Sequence, residues 1–307
     1  MVVSIVGPTA SGKSAVAMVL ARALGAEIIN ADAYQVYRGM DIGTAKPSTD
    51  DLAAVRHHLV DILDVTEELS VARYQQLGRA ALADLGDRGI AAIVVGGSGL
   101  YVRALLDDLQ FPGSDPVIRA RWERELAQIG PEQLHAVLAQ RDPEAAAHIL
   151  PTNGRRIVRA LEVGQMTGKG FTAQLPVDGP ALVPHLSCGL DLQRSRLDER
   201  IAARVERMFA AGLVAEVRAL VTAGLREGRT ASRALGYAQV LDLIDGRLDL
   251  PAAQESTVTA TRAYARRQQR WFRRDPRTRW YPAEADPSST ALSIVAQLAV
   301  AGRTLGP

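Results

Sequence analysis

Two glycines, a lysine and three hydroxyl residues stand in Gly7-Pro8-Thr9-Ala10-Ser11-Gly12-Lys13-Ser14 at the spacing that phosphate binding requires. Glycines let the backbone curl around an anion, and amide N–H groups at a helix start point at it. Lys13 neutralises it, and the Ser14 hydroxyl can ligand Mg²⁺. The context agrees, since the apolar run "VVSIV" precedes the loop and the helix-like "KSAVAMVLARAL" follows it. The loop does not choose its ligand. Most such loops hold a nucleoside triphosphate, so an NTPase or a metabolite kinase is one reading. Against a motor or GTPase, "AAIVVGG" ends in glycines where a metal-holding acid would stand, and no Asn-Lys-x-Asp occurs; the chain also lacks an Asp-Asp-x-x-Asp cluster.

Three further features belong at the same rim. Asp32 ends the strand-like "EIINAD", the strand after the phosphate-loop helix, and ligands of a doubly wound sheet lie at the carboxyl ends of its strands. "YRGMDIGTAKP", residues 37–47, is shaped into a loop by Gly39, Gly43 and Pro47 and carries Lys46. "GGSGLY", residues 96–101, is a second glycine-rich strand-to-helix turn with the Ser98 hydroxyl at its tip. Three such turns on one crevice suggest that two substrates meet there. The lysines sharpen this, because Lys13, Lys46 and Lys169 are the only three in a chain that otherwise uses arginine. Two of them fall in these motifs, which suggests point charges placed against phosphate.

The net charge of +2 conceals a segment, 262–280, that carries +7 while the remainder carries −5. Within it Arg262, Arg266, Arg270 and Arg273 recur at helical spacing with Tyr264, Trp271 and Phe272 interleaved. Arginines and aromatics together suit an RNA backbone with splayed bases. Arg155, Arg156 and Arg159 of "GRRIVR" form a smaller cluster. His57 and His58 are adjacent in sequence and point apart on any regular element, so they are read as structural. Cys188 lies in the apolar "LSCGLDL" and is read as buried filler; one cysteine excludes a disulfide framework and a four-cysteine metal site.

These residues need an α/β frame. Strand and helix patterns alternate through residue 112, which predicts a parallel sheet covered on both faces. From 113 to 184 short helices started by Pro or Asp and stopped by Gly predict a helical insertion domain. Residues 185–307 return to the core with "HLSCGLDL" and then read as a helical C-terminal region, with no pattern after Trp280. The chain is thus expected to fold as a P-loop, nucleoside-kinase-like parallel-sheet core, 1–112 and 185–307, interrupted by the insertion. No apolar run approaches the ~20 residues of a membrane span and no leader pattern opens the chain, so a cytoplasmic protein, monomeric and without membrane attachment, is expected.

"GPTASGKS", "NADAYQVYRGMDIGTAKP", "HHLVDI", "GGSGLY", "RALGY" and "TRAYARRQQRWFRR", in this order, resemble the bacterial tRNA dimethylallyltransferases, from about Val3 to Trp280. The stretch "YRGMDIGTAKP" is the most specific, since phosphate loops in general do not carry it. The resemblance implies transfer of the dimethylallyl group of dimethylallyl diphosphate to N6 of adenine-37, beside the anticodon of tRNA, with Mg²⁺. Under it Gly7, Pro8, Thr9, Ala10, Ser11, Gly12, Lys13 and Ser14 hold the diphosphate, Ser14 meets the metal, Asp32 is the general base, and Thr9 and Arg233 assist catalysis. Contacts to the tRNA anticodon stem-loop are implied for Asp32, Ala33, Tyr34, Gln35, Ser98, Arg119, Arg155, Arg156, Arg159, Arg233, Gly236, Tyr237 and the segment Thr261 to Gln268 with Arg262, Arg266 and Arg267. The chain departs from the family at Ala33, where a serine is usual, so no role needing that hydroxyl is assigned. Ser14 and Ser98 replace common threonines and keep the hydroxyl. The alternatives are an isopentenyltransferase acting on adenylate, a P-loop metabolite kinase using ATP, and a non-catalytic RNA-binding ATPase.

Overall fold

The computed structural model describes residues 1–171, 181–283 and 286–304, and divides into two compact units, 1–108 with 180–307, and 109–179. The expected insertion, 113–184, overlaps the second unit, and its stretch 172–180 lies outside the described residues.

The first unit is a six-stranded sheet, parallel throughout. Its strands are β1 (Val2–Val6), β2 (Glu27–Asn30), β3 (His57–His58), β4 (Ala92–Gly96), β5 (Leu186–Asp191) and β6 (Thr278–Pro282), in spatial order β3-β2-β4-β1-β5-β6. "AAIVVGG" is therefore the fourth strand in the chain, because the histidine pair forms a short edge strand of its own. His58 Nε2 lies 2.6 Å from Glu27 Oε2, and Arg88 Nη1 is 2.7 Å from the other oxygen of the same carboxylate. The Arg88 bonds hold the Glu27 carboxyl down at about 2, despite its partial burial. Strand β6 was not foreseen. It pairs with β5 from Ser187↔Thr278 to Asp191↔Pro282, at the edge where a tail without pattern was expected. Its sequence, "TRWYP", is too short and too polar to display a period.

Between the strands run α1 (Lys13–Leu24), α2 (Thr49–Ala54), α3 (Val71–Asp87) and α4 (Gly99–Leu106). The second unit holds α5 (Pro116–Arg141), α6 (Pro143–His148) and α7 (Gly154–Thr167). After β5 come α8 (Arg194–Ala210), α9 (Leu213–Thr222), α10 (Tyr237–Ile244) and α11 (Leu250–Phe272), and α12 (Pro287–Thr304) follows β6. The main core packs Val16, Ala17 and Leu20 of α1 and Ile294 of α12 against Val3, Ile5, Ile93, Cys188 and Leu190 of the sheet. Burial also pushes the Cys188 thiol up to about 12, so it stays a neutral core residue.

In the second unit Trp122, Leu134, Leu138, Ile149, Ile157 and Leu161 build a separate core. Helix α5 breaks its regular backbone at Gly130 (φ 80), just before Pro131. Its start is capped by Asp115, whose side chain accepts from Val117 N and Ile118 N. Among the described residues no helix is long and apolar enough to cross a membrane.

Candidate active site

Register brings the functional turns together. Val6 is opposite Gly96 on one side and Gly189 on the other, and Asn30 is opposite Val95, so β1, β2, β4 and β5 end at one rim. Gly96 permits this closeness, because a Cβ there would sit 2.2 Å from Ala31 O. The glycine that replaces the expected acid is thus needed where the β2 and β4 backbones meet, one residue before Asp32.

The phosphate loop, 7–14, spans from β1 to the first turn of α1. Gly7 has φ 140 and Gly12, at the N-cap of α1, has φ 92. Ala10 adopts φ 63, a left-handed conformation costing a non-glycine residue on the order of 1 kcal/mol, and it is packed against Leu197 and Ile201 of α8 and Ala265 of α11. Those two helices hold the loop in shape. Lys13 folds over it, with Nζ 2.6 Å from Pro8 O. Burial, with the Arg204 guanidinium nearby, pulls the Lys13 ammonium down to about 7, although Asp32 acts in the opposite sense. The Ser14 side is exposed and borders a cavity of about 350 Å³ also lined by Met18, Ile28, Asn30 and Gln35.

Asp32 is partly buried just beyond β2. Its amide donates to Asn30 Oδ1 at 2.9 Å, and its own Oδ1 accepts from Tyr34 N at 2.9 Å. Among the described residues Oδ2 accepts no hydrogen bond. Charges and rings surround the carboxylate: it interacts with Lys13 and Arg204, and it raises the phenols of Tyr34, Tyr101 and Tyr264, which burial has already pushed up. Tyr101 stacks on Tyr74 with ring centroids 4.1 Å apart. The Arg233 guanidinium acts on Tyr34 from an exposed position. Ser98 is the N-cap of α4, yet its side chain makes no capping bond.

Of two further residues that shape the site, one was missed from sequence and the other was expected only as a contact to RNA. Arg204 of α8, partly buried, interacts with both Lys13 and Asp32, and its Nη2 donates to Thr44 O at 3.3 Å. The available signal was the run Arg200, Arg204, Arg207 beside the apolar Leu197, Ile201 and Val205, a cationic stripe next to a buried one. The other is Gln268, whose Oε1 accepts from Thr9 N at 2.8 Å while its Nε2 donates to Gly97 O at 3.0 Å. A Cβ on Gly97 would come within 2.0 Å of that nitrogen, and one on Gly99 within 2.0 Å of the Trp271 ring. The glycines of "GGSGLY" therefore make room for α11.

Several expectations need correction. Lys46 does not face phosphate: its side chain is 4% exposed, ion-paired with Asp41 and Asp61, and it donates to Tyr37 O at 2.8 Å. Tyr237, expected at RNA, is fully buried, with its hydroxyl on Glu216. Glu216 also accepts from the N–H of Asp41, Ile42 and Gly43, and Gly43 lacks a Cβ because the Tyr237 ring occupies that space. Gly236, also buried, starts α10 with φ 88. Ala33 and Gln35 flank the aspartate, and Gln35 Nε2 donates to the carbonyls of Thr44 and Ala45. On α11, Thr261 and Gln268 are buried while Arg266 and Arg267 are exposed; Arg262 donates to Asp198 O at 3.3 Å. The +7 count overstates the free charge, since Arg273 binds Asp191 and Arg277 binds Asp107 and Asp275.

In the second unit Arg119 and Arg159 bind the fully buried Glu162 at 3.0 and 2.9 Å, and Ser114 Oγ donates to its other oxygen at 2.6 Å. Burial pushes this carboxyl up, but the bonds from Ser114, Arg159 and Arg119 outweigh it, so the group stays below the ordinary range. Arg119 fastens the start of α5 to α7, and Arg159 ties α7 to the Pro112 and Gly113 carbonyls just ahead of α5; Arg155 and Arg156 are exposed.

Residues 35–275 match the family described as IPP transferase. The chain is 58% identical to the tRNA dimethylallyltransferase of Kineococcus radiotolerans, over 97% of this chain and 96% of that one. It superposes with a TM-score of 0.72 on the tRNA isopentenylpyrophosphate transferase of Bacillus halodurans, at 36% identity over 97% of this chain and 95% of that one. Against a eukaryotic dimethylallyltransferase acting on tRNA, the TM-score is 0.83 at 25% identity, over all of this chain and 80% of the other. With a glycine-cornered loop between β1 and α1, a carboxylate at its rim and this likeness along nearly its whole length, the chain belongs to the IPP transferase family.

Proposed function

We propose that this protein transfers the dimethylallyl group of dimethylallyl diphosphate to N6 of adenine-37 in tRNA. The observation that carries the reading is the placement of Asp32 on the rim of the phosphate loop, in electrostatic contact with Lys13 and Arg204. An adenine amine is a weak nucleophile, because its lone pair is delocalised into the ring. As the bond from N6 to the allylic carbon forms, Asp32 Oδ2 takes a proton from N6. The bond from that carbon to the diphosphate oxygen breaks, and its electron pair leaves with the diphosphate. Lys13, Arg204, Arg233 and the N–H groups at the start of α1 stabilise the growing negative charge. The hydroxyls of Thr9 and Ser14 lie on the same loop. Mg²⁺ suits the site: Ser14 is exposed on an open cavity, and this ion is usually held by few protein groups together with substrate phosphates. When bound it would supply further neutralisation of the diphosphate, with Ser14 as its protein ligand.

Adenine-37 is stacked in its loop and must be extruded at a cost of a few kcal/mol. Tyr34 and Tyr264, partly exposed and in electrostatic contact with Asp32, offer aromatic surface to the extruded base, and Tyr101, stacked on Tyr74, backs them from the buried side. The exposed Arg266, Arg267 and Arg270 of α11 supply phosphate contacts that offset the cost, and Arg155 and Arg156 add to them. A site of this kind works on RNA in the cytoplasm.

Labelled dimethylallyl diphosphate with Mg²⁺ and either bulk tRNA or AMP, with ATP hydrolysis followed in parallel, tests the reading. Label is expected in tRNA alone. Label in AMP would instead favour an adenylate isopentenyltransferase, and ATP turnover without prenylated product a kinase or ATPase.

A further inference from the structure

The backbone N–H of Thr9 belongs to the phosphate loop, yet it points at α11, where Gln268 Oε1 receives it at 2.8 Å. The same amide group donates to Gly97 O at 3.0 Å, so one side chain, 5% exposed, joins the turns after β1 and β4 to the helix. It sits on the buried stripe Ala253, Thr257, Thr261, Ala265, Gln268, Phe272, and its neighbour Ala265 packs on the left-handed Ala10 of the loop. Its other neighbours in sequence, Arg266, Arg267 and Arg270, are exposed. One helix therefore carries cations on its outer face and, on its inner face, the group that sets the shape of the phosphate loop.

We propose that Gln268 is a positioning residue that couples RNA engagement on α11 to the affinity of the phosphate loop for diphosphate. RNA neutralises the crowded arginines and fixes the C-terminal half of α11. Gln268 is fixed with it, the Thr9 N–H is held, and the loop is set for the anion. Coupling of this sort is reciprocal, so diphosphate tightens RNA binding by the same factor. The proposal rests on the reading of residues 7–14 as the diphosphate site.

The test titrates inorganic diphosphate, with Mg²⁺, into the full chain with and without a saturating anticodon stem-loop RNA, for wild type, Gln268→Met and Gln268→Glu. Met keeps the volume and loses both hydrogen bonds, whereas Glu keeps an acceptor for Thr9 N. In wild type RNA is expected to tighten diphosphate about 5-fold or more, the lower end of ordinary coupling. In Q268M the ratio falls to about one, and KM for the prenyl donor rises more than kcat falls; in Q268E part of the ratio returns. An equal ratio in wild type and Q268M overturns the proposal, and so does a wild-type ratio of one or a Q268E ratio as low as that of Q268M. If diphosphate does not bind the wild-type chain at all, the assignment of the loop has failed first; binding without coupling strikes only the role of Gln268.

Discussion

Two loops carry the chain's signature, and each holds a lysine, but the lysines do opposite things. Lys13 lies over the phosphate loop, bonded to a carbonyl of that loop, and its charge is poised at about 7. Lys46 is turned inward onto Asp41, Asp61 and the Tyr37 carbonyl. Around it "YRGMDIGTAKP" is pinned by Glu216, which takes three successive N–H groups, and the loop's Thr44 carbonyl receives Arg204 and Gln35. On the proposed reading the first loop meets the diphosphate, and the second positions the groups that do. A distinctive motif thus need not touch substrate, and the two classes separate under substitution into changes of rate and changes of stability.

The sharpest break on the ligand side is Asp32→Asn. It keeps the shape and the Tyr34 N–H bond, removes the proton acceptor, and is expected to lower turnover by ~10²–10⁴-fold with tRNA affinity nearly unchanged. Single-turnover prenyl transfer beside a filter-binding assay checks it; wild-type turnover would take Asp32 out of the chemistry. On the inner side, Lys46→Met leaves two carboxylates without their cation. A fully buried broken pair costs ~3–5 kcal/mol, and because Asp41 and Asp61 keep side-chain exposures of 60% and 39%, we expect about 2–3 kcal/mol here. Denaturant unfolding measures it, and the variant that remains folded should retain most of its kcat.

The pH dependence should single out Lys13. Its ammonium is charged below about 7 and neutral above, so diphosphate meets a full cation only on the acid side. KM for the prenyl donor is therefore expected to rise as pH increases past 7, tending to about tenfold per unit if only the charged form binds. Turnover at saturating donor should be flatter, because bound diphosphate holds the proton on. Steady-state kinetics from pH 6 to 9 decide it, with Lys13→Arg, which stays charged, expected to show no such rise.

The parallel sheet, the phosphate loop and the place of Asp32 were legible because each rests on a local rule: apolar runs between helices, glycines at tight turns, ligands at strand ends. Partnership between distant residues was not. Nothing in a window of sequence shows that Lys46 meets Asp61, that Tyr237 fills the space beside Gly43, or that Gln268 reaches Thr9 across 259 positions. Burial alone was within reach, since Gln268 falls on the apolar stripe of α11, an uncharged residue among arginines. Arg204 was hidden by abundance, one arginine in a chain full of them. Strand β6 escaped because its pairing partner, and not its own five residues, makes it a strand.

The arginines give the finest division. Arg266, Arg267 and Arg270 lie exposed on α11, whereas Arg119 and Arg159 close on Glu162. All are cations and all were expected at RNA, but only side chains whose charge is not already answered by a carboxylate release counterions when a phosphate arrives. Replacing the three α11 arginines by Ala should reduce the slope of log K against log salt for tRNA binding by about 2, from roughly 0.7 per single-strand phosphate contact. Arg119→Met should leave that slope nearly unchanged and instead lower the melting temperature, because it strips a partner from a buried carboxylate. Binding titrations at several salt concentrations separate the two, and an equal loss of slope in both variants would erase the distinction between charges that face RNA and charges that hold the protein together.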